Sequence, residues 1–178
     1  RELLDWDRLE ETVALSVRFL DDVVEANRYP TPEIHKATHR TRKIGLGVMG
    51  FADLLYEVGI AYDSERALEA AERIGGFIQR AGWFASERLA AVRGVFPAWE
   101  GSVWDVDRGG RSMRNAQVTC IAPTGTLSIL ANCSSGIEPV FSLVFHRHVL
   151  GGQHLIEVNP VFERVLREHF GDEEKVHR

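Results

Sequence analysis

Thr124, Gly125, Thr126 and Ser128 crowd three hydroxyls and a glycine into one short stretch, with an apolar run on either side. They belong to Ile121–Pro139, IAPTGTLSILANCSSGIEP, where two apolar runs alternate with a Thr/Gly/Ser turn and a Ser/Gly turn. With Pro123, these residues put hydroxyls and free backbone N–H groups where a strand hands over to a helix. That chemistry suits a phosphate: glycine lets the backbone approach, hydroxyls donate, and a helix N-terminus adds positive potential. The same residue types also build an ordinary tight connection, and by themselves they leave both readings open.

Other groups with chemical potential are weaker. Gly45, Gly47 and Gly50 spell G-x-G-x-x-G, the pattern of a dinucleotide-binding turn. Such a turn follows a buried strand and precedes a second strand ending in an acid. Here the charged run His39–Lys43 precedes it and a long helical pattern from Ser64 follows, so tight strand–helix packing is the better account. His35 and His39 are four apart, and His146 and His148 alternate on a predicted strand. Neither pair has a third ligand in register, so both read as surface or packing residues and no metal site is assigned. Glu138, between a glycine turn and a proline, reads as structural, capping a helix or orienting a loop, with lining the site as the alternative. Arg111 and Arg114, just before a predicted strand, either help neutralise a phosphate or are solvated charges.

The elements that must position these residues follow from periodicity. Leu9, Val13, Val17, Leu20 and Val24 recur at helical spacing over Asp7–Asn27, with Asp7 and Glu10 as a capping-box start. Pro32 opens a short helix over Glu33–Thr41, Lys43–Met49 has strand character, and Phe51–Val58 is a helix stopped by Gly59. The longest helix runs from Ser64 to Val92, stopped by Gly94. Its buried stripe is Ala67, Ala71, Ile74, Ile78, Ala81, Ala85, Leu89 and Val92. Gly75, Gly76 and Gly82 predict a kink or close packing along it. Phe96–Gly110 is a loop pinned by Trp99 and Trp104. Then come a buried strand at Ala116–Ala122, a short helix at Leu127–Asn132, a strand at Val140–Val149, and a helix capped by Asn159 from Pro160 to His169. The alternation predicts α/β architecture with long packing helices.

Composition sets the outer bounds. A hydrophobic share of 44% and a charged share of 26% are those of a globular protein, and 178 residues suit one domain or a piece of a larger one. The net charge of −5 argues against a nucleic-acid surface, and no apolar run reaches membrane-spanning length. Two cysteines, Cys120 and Cys133, make neither a disulfide framework nor a zinc site, and a reduced cytoplasmic chain is the expectation. The chain opens on Arg1 in a charged RELLDWD run, which predicts a fragment, a split-gene product or a trimmed chain.

The wording of the hydroxyl-rich run resembles the phosphate-binding loop of ribonucleotide reductase large chains. The likeness is greatest to the adenosylcobalamin-dependent class, which carries Pro-Thr-Gly-Thr-(Ile/Leu)-Ser and then Ser-Ser-Gly-Ile-Glu-Pro. Arg40–Leu55 (RTRKIGLGVMGFADLL), Arg114–Ser128 and FSLVFHRHVLGGQHLIEVNPVF resemble successive parts of the same family, so the likeness runs from about Trp6 to about Phe170. Departures are mild: Cys120 stands where threonine is common, Leu127 where isoleucine is common, and Phe145 where tyrosine is often seen.

The resemblance implies that residues 1–178 are a single partial domain, part of the second half of a ten-stranded α/β barrel. Such a piece lacks partner strands and exposes barrel-facing apolar surface. It further implies that Thr124, Gly125, Thr126, Leu127 and Ser128 bind the substrate phosphates of a ribonucleoside di- or triphosphate. The family reduces the ribose 2′-carbon through a thiyl radical, with adenosylcobalamin as cofactor in this class and a thioredoxin-like external reductant. The family's radical cysteine lies in an Asn-x-Cys-x-Glu loop. Neither Cys120 nor Cys133 stands in that pattern, so both read as small buried packing residues and no catalytic residue is assigned. The remainder of the reductase chain is then a required partner. Two other readings remain: a non-catalytic phosphate- or nucleotide-binding module (or the second half of a split enzyme), and an NAD-dependent oxidoreductase needing an unbroken parallel sheet after Gly50.

Overall fold

The computed structural model describes residues 4–140, 142–148 and 154–170. The elements are α1 (Trp6–Ala26), α2 (Pro32–Thr41), α3 (Phe51–Glu57), α4 (Glu65–Arg93), a 3-10 turn at Val106–Arg108, α5 (Gly125–Ala131), β1 (Val144–His148), β2 (His154–Val158) and α6 (Pro160–Phe170). They fall into two compact units, residues 1–47 with 69–121 and residues 48–68 with 122–178.

In the first unit α1 buries Val13, Val17 and Val24 as its periodicity predicts. Its cap is Asp5, not Asp7 with Glu10. Trp6 is already helical, so the Asp5 carboxylate accepts from the Arg8 amide at 3.0 Å. The α4 stripe is shifted from expectation. Ala67, Ile74, Ile78 and Ala85 are buried, but Ala70, Ser86 and Ala90 join them while Ala71 and Val92 face outward. The helix runs unbroken through its glycines. Gly82 is the one that close packing requires: a Cβ there would meet Val118 Cγ1 at 2.9 Å.

The two strand candidates of this unit, Lys43–Met49 and Ala116–Ala122, do meet, in parallel. Ile44 and Leu46 donate to Gln117 O and Val118 O, and Cys120 donates back to Leu46 O at 3.0 Å. The ladder amounts to one bridge, Leu46 to Thr119, rather than the full strands expected over Lys43–Met49 and Ala116–Ala122. Each run finds a single partner strand among the described residues. Trp99 Nε1 donates to Arg111 O and Trp104 Nε1 to Ala116 O, both at 2.8 Å, which pins the intervening loop as its sequence predicts.

At the centre of this unit is Asp21, wholly buried on α1. Its carboxylate accepts from Arg42 at 2.7 Å, Arg93 at 2.9 Å, Arg114 at 3.3 Å and Asn115 Nδ2 at 3.0 Å. Asn115 also donates to Arg42 O at 3.0 Å and accepts from Ser86 Oγ at 2.9 Å. Arg42 caps α2 in the left-handed region (φ 46°), a cost offset by these charge-assisted bonds. Burial acts to raise the Asp21 pKa, but Arg42 and Arg93, with the charge of Arg114, outweigh it and hold the carboxyl below its ordinary 3.8.

In the second unit β1 and β2 pair antiparallel, Val144 opposite Val158 and His148 opposite His154. β1 is shorter than the expected Val140–Val149, whose last residue lies outside the described residues, and β2 has no counterpart among the predicted elements. Asn159 caps α6 as predicted, its Oδ1 accepting from Val161 and Phe162 amides at 3.0 Å.

Asp21→Asn leaves three arginines facing a neutral amide and is expected to lower unfolding free energy by about 3–5 kcal/mol at pH 7 in a denaturant titration. The Asp21 carboxylate contributes its stability above its unfolded-state pKa and loses it as pH falls through the depressed folded one. The deficit of the variant is therefore expected to shrink only below about pH 4.

Candidate functional site

The hydroxyl-rich loop lies in the second unit, and its helix begins two residues earlier than predicted. Thr124 takes the N-cap position of α5 in the left-handed region (φ 52°, ψ 25°), a conformation costly for a β-branched residue. Two bonds hold it there. Its carbonyl accepts from the Ser128 amide at 2.8 Å, and its Oγ1 accepts from the Gly136 amide at 2.8 Å. Ser128, buried, donates from Oγ to Gly125 O at 2.9 Å and meets Ser135 Oγ at 2.9 Å. With its proton given to Gly125 O, Ser128 Oγ accepts from Ser135.

The second turn therefore backs the first. Gly136 makes this approach possible: its φ is +49°, and a Cβ there would stand 2.7 Å from Ala122 O. The five predicted site residues thus divide. Gly125, Thr126 and Leu127 are exposed, no side chain caps the helix start, and a Cβ on Gly125 would meet nothing within 4 Å. Thr124 is half-buried and Ser128 buried, their side chains engaged with the supporting turn. Chemically, the arrangement presents the amides of one exposed helical turn and the Thr126 hydroxyl to an oxyanion, on a frame closed by its own hydrogen bonds.

The frame extends to α3. Asp53, buried, accepts from the Ser134 amide at 2.5 Å with Oδ2 and from Asn159 Nδ2 at 2.8 Å with Oδ1. The Gly50 amide donates to Ser134 O at 2.8 Å. Asp53 was not among the predicted site residues, although its place beside buried Ala52 and Leu55 in FADLL sets a carboxylate on an apolar face.

The remaining candidates settle as follows. Cys120 and Cys133 are free and partly exposed rather than buried. Burial, and then the Asp53 charge, push the Cys133 thiol up, away from a reactive thiolate. Gly45 and Gly47 pack on a neighbouring strand rather than a helix: a Cβ on Gly45 would lie 2.7 Å from Cys120 Sγ, and one on Gly47 3.1 Å from Cys120 O. Gly50 starts α3, and α4 follows, so no parallel sheet succeeds it among the described residues.

His35 and His39 stack on each other at 4.0 Å, with the Tyr29 ring edge-on to both. His146 and His148 lie on β1, their side chains outside what the structure describes. Arg114 is committed to Asp21, and Arg111 pairs with Glu87 at 3.3 Å while lying over Trp83. Glu138 is exposed beyond a turn in which its amide donates to Ser135 O. Among the described residues no group of three or more His, Cys, Asp or Glu is placed to hold a metal, and no helix is long and apolar enough to cross a membrane.

Comparison with known proteins bears on all of these residues. The family described as ribonucleotide reductase, barrel domain, matches residues 1–109 and 107–178. This chain belongs to that family. The vitamin B12-dependent ribonucleoside-diphosphate reductase of Thermoplasma acidophilum is 57% identical over 165 residues, covering 93% of this chain and 21% of the relative. The enzyme of the same name from Mycobacterium tuberculosis H37Rv is 53% identical over 167 residues, 93% of this chain and 23% of the relative. The ribonucleoside-diphosphate reductase subunit alpha of Chlamydia pneumoniae is 34% identical over 188 residues, 86% of this chain and 18% of the relative. The chain thus spans about a fifth of the length of these reductases.

Gly136→Ala places a methyl group against Ala122 O in a conformation that favours glycine. It is expected to cost about 1–3 kcal/mol and to raise the hydrogen-exchange rate of amides in α5. Native-state exchange compared between wild type and variant measures both.

Proposed function

We propose that this chain is part of the barrel of a ribonucleoside-diphosphate reductase, and that its Thr124–Ser128 loop holds the substrate phosphates. Membership of the family supports the first statement, together with the names carried by its relatives. The single observation behind the second is the geometry of the loop: an exposed, uncapped turn at Gly125–Leu127 on a frame that consumes the side chains of Thr124 and Ser128. In this reading Gly125, Thr126 and Leu127 present backbone N–H groups to the phosphate, Thr126 adds its hydroxyl, and Thr124 and Ser128 fix the turn. Binding energy collected at the phosphate end positions the ribose for chemistry performed elsewhere in the complete enzyme.

The barrel would be the ten-stranded α/β barrel of the family, with residues 1–178 a partial domain of it. The minimal parallel pairing of Ile44–Leu46 with Gln117–Cys120 fits strands that belong to a larger sheet. Exposed apolar side chains such as Ile121 and Leu130 fit surfaces that the rest of the barrel covers.

The names of two of the relatives point to adenosylcobalamin in the complete enzyme, where it would supply a radical by homolysis of its cobalt–carbon bond. A thioredoxin-like reductant and a cytoplasmic location complete the proposal.

In the complete enzyme, Gly125→Val is expected to weaken ribonucleoside-diphosphate binding about tenfold by standing a β-branched side chain in the open space through which the phosphate would reach the turn. Unchanged affinity would remove the loop from the substrate site. Turnover of the complete gene product is expected to require added adenosylcobalamin. Full activity without it, in a preparation shown to be cobalamin-free, would overturn the class assignment.

A further inference from the structure

We infer that Asp53 is a positioning residue for the phosphate loop, locking the Ser134–Gly136 turn on which the conformation of Thr124 and Ser128 depends. The inference rests on the phosphate reading above.

Ser134 is held from one side by the start of α3. Its amide donates to Asp53 Oδ2 at 2.5 Å, its carbonyl accepts from Gly50 N at 2.8 Å, and its Oγ accepts from Asp53 N at 3.4 Å. The next two residues pass that constraint on. Ser135 Oγ meets Ser128 Oγ at 2.9 Å, and Gly136 N donates to Thr124 Oγ1 at 2.8 Å. Thr124 sits in a left-handed conformation that a threonine abandons unless its surroundings hold it. The chain of contacts therefore runs from a buried carboxylate to the one strained residue at the head of the exposed turn.

The chemistry at Asp53 is specific to a carboxylate. Both groups facing its side-chain oxygens, the Ser134 amide and Asn159 Nδ2, are donors. An asparagine has one carbonyl oxygen, so Asp53→Asn sets its own NH2 against one of those donors whichever way it is turned. With both oxygens occupied and the residue buried, Asp53 does not face the ligand. Its negative charge would oppose a phosphate if it did. Its contribution is the placement of the loop.

The test uses the complete reductase and equilibrium binding of CDP and of cytidine, which lacks the phosphates. Asp53→Asn is expected to weaken CDP about tenfold while cytidine changes by less than about twofold. Asn159→Ser keeps a hydroxyl to cap α6 but loses the donor to Asp53. It is expected to weaken CDP alone, by about threefold. Unchanged CDP affinity in Asp53→Asn, or equal losses for both ligands, overturns the inference. If Asp53→Asn does not fold, the same two results in Asn159→Ser overturn it. Gly125→Val separates the two claims. If that variant loses CDP affinity and Asp53→Asn does not, only the positioning role fails; if Gly125→Val binds CDP normally, the phosphate reading itself fails.

Discussion

A carboxylate taken out of water must find a donor for each oxygen lone pair that water had satisfied, or its burial destabilises the fold by several kcal/mol. Each unit of this protein is arranged around one such demand. In the first, Asp21 is met by Arg42 from the end of α2, Arg93 from α4, and Arg114 and Asn115 from the segment leading into the parallel pairing. Removing the acid would leave Arg42, itself buried, with the exposed Glu25 as its remaining carboxylate partner. The cluster therefore specifies where those elements meet more than it adds to net stability, because desolvation of so many charges opposes their attraction.

In the second unit Asp53 plays the corresponding part on a smaller scale, with donors that are a main-chain amide and a side-chain amide rather than guanidinium groups. The difference suits the task. An amide donor fixes direction as well as distance, and the Ser134 backbone so fixed determines where Ser135 and Gly136 stand. Hydroxyl and glycine chemistry then finishes the loop. Thr124 and Ser128 spend their side chains on the frame, which leaves the backbone of Gly125–Leu127 as the face turned outward.

Much of this was legible in the sequence. The apolar stripe of α1, the cap at Asn159, the two tryptophan pins and the short helix after Pro123 follow from periodicity and turn chemistry, and the wording of several runs points to the family. What escaped notice was the polar interior. Asp21 falls four residues after Val17 and three before Val24, on the buried stripe itself, and Asp53 lies between Ala52 and Leu55. A carboxylate in such a place signals a partner, but the partners are 21 to 106 residues away in sequence, beyond the reach of local pattern. The offset of the α4 stripe and the Asp5 cap have a simpler origin: helix ends and faces shift by a residue when tertiary contacts outweigh local preference. β2 was hidden because GGQHLIEV carries no clean alternation.

Under the proposed phosphate role, the division of labour in the loop bears on how an anion is gripped without catalytic groups. Side chains that contact an anion directly lose rotamer freedom when it binds, whereas main-chain amides already fixed in a helical turn lose little. A turn whose hydroxyls are committed to its own frame is thus preorganised, and the cost of ordering it is met during folding rather than on binding. The strain at Thr124 fits this account. A residue held in a sparsely populated conformation by Gly136 N and Ser128 N marks a turn kept in one shape, and Asp53, through Ser134, is the anchor from which that shape is set.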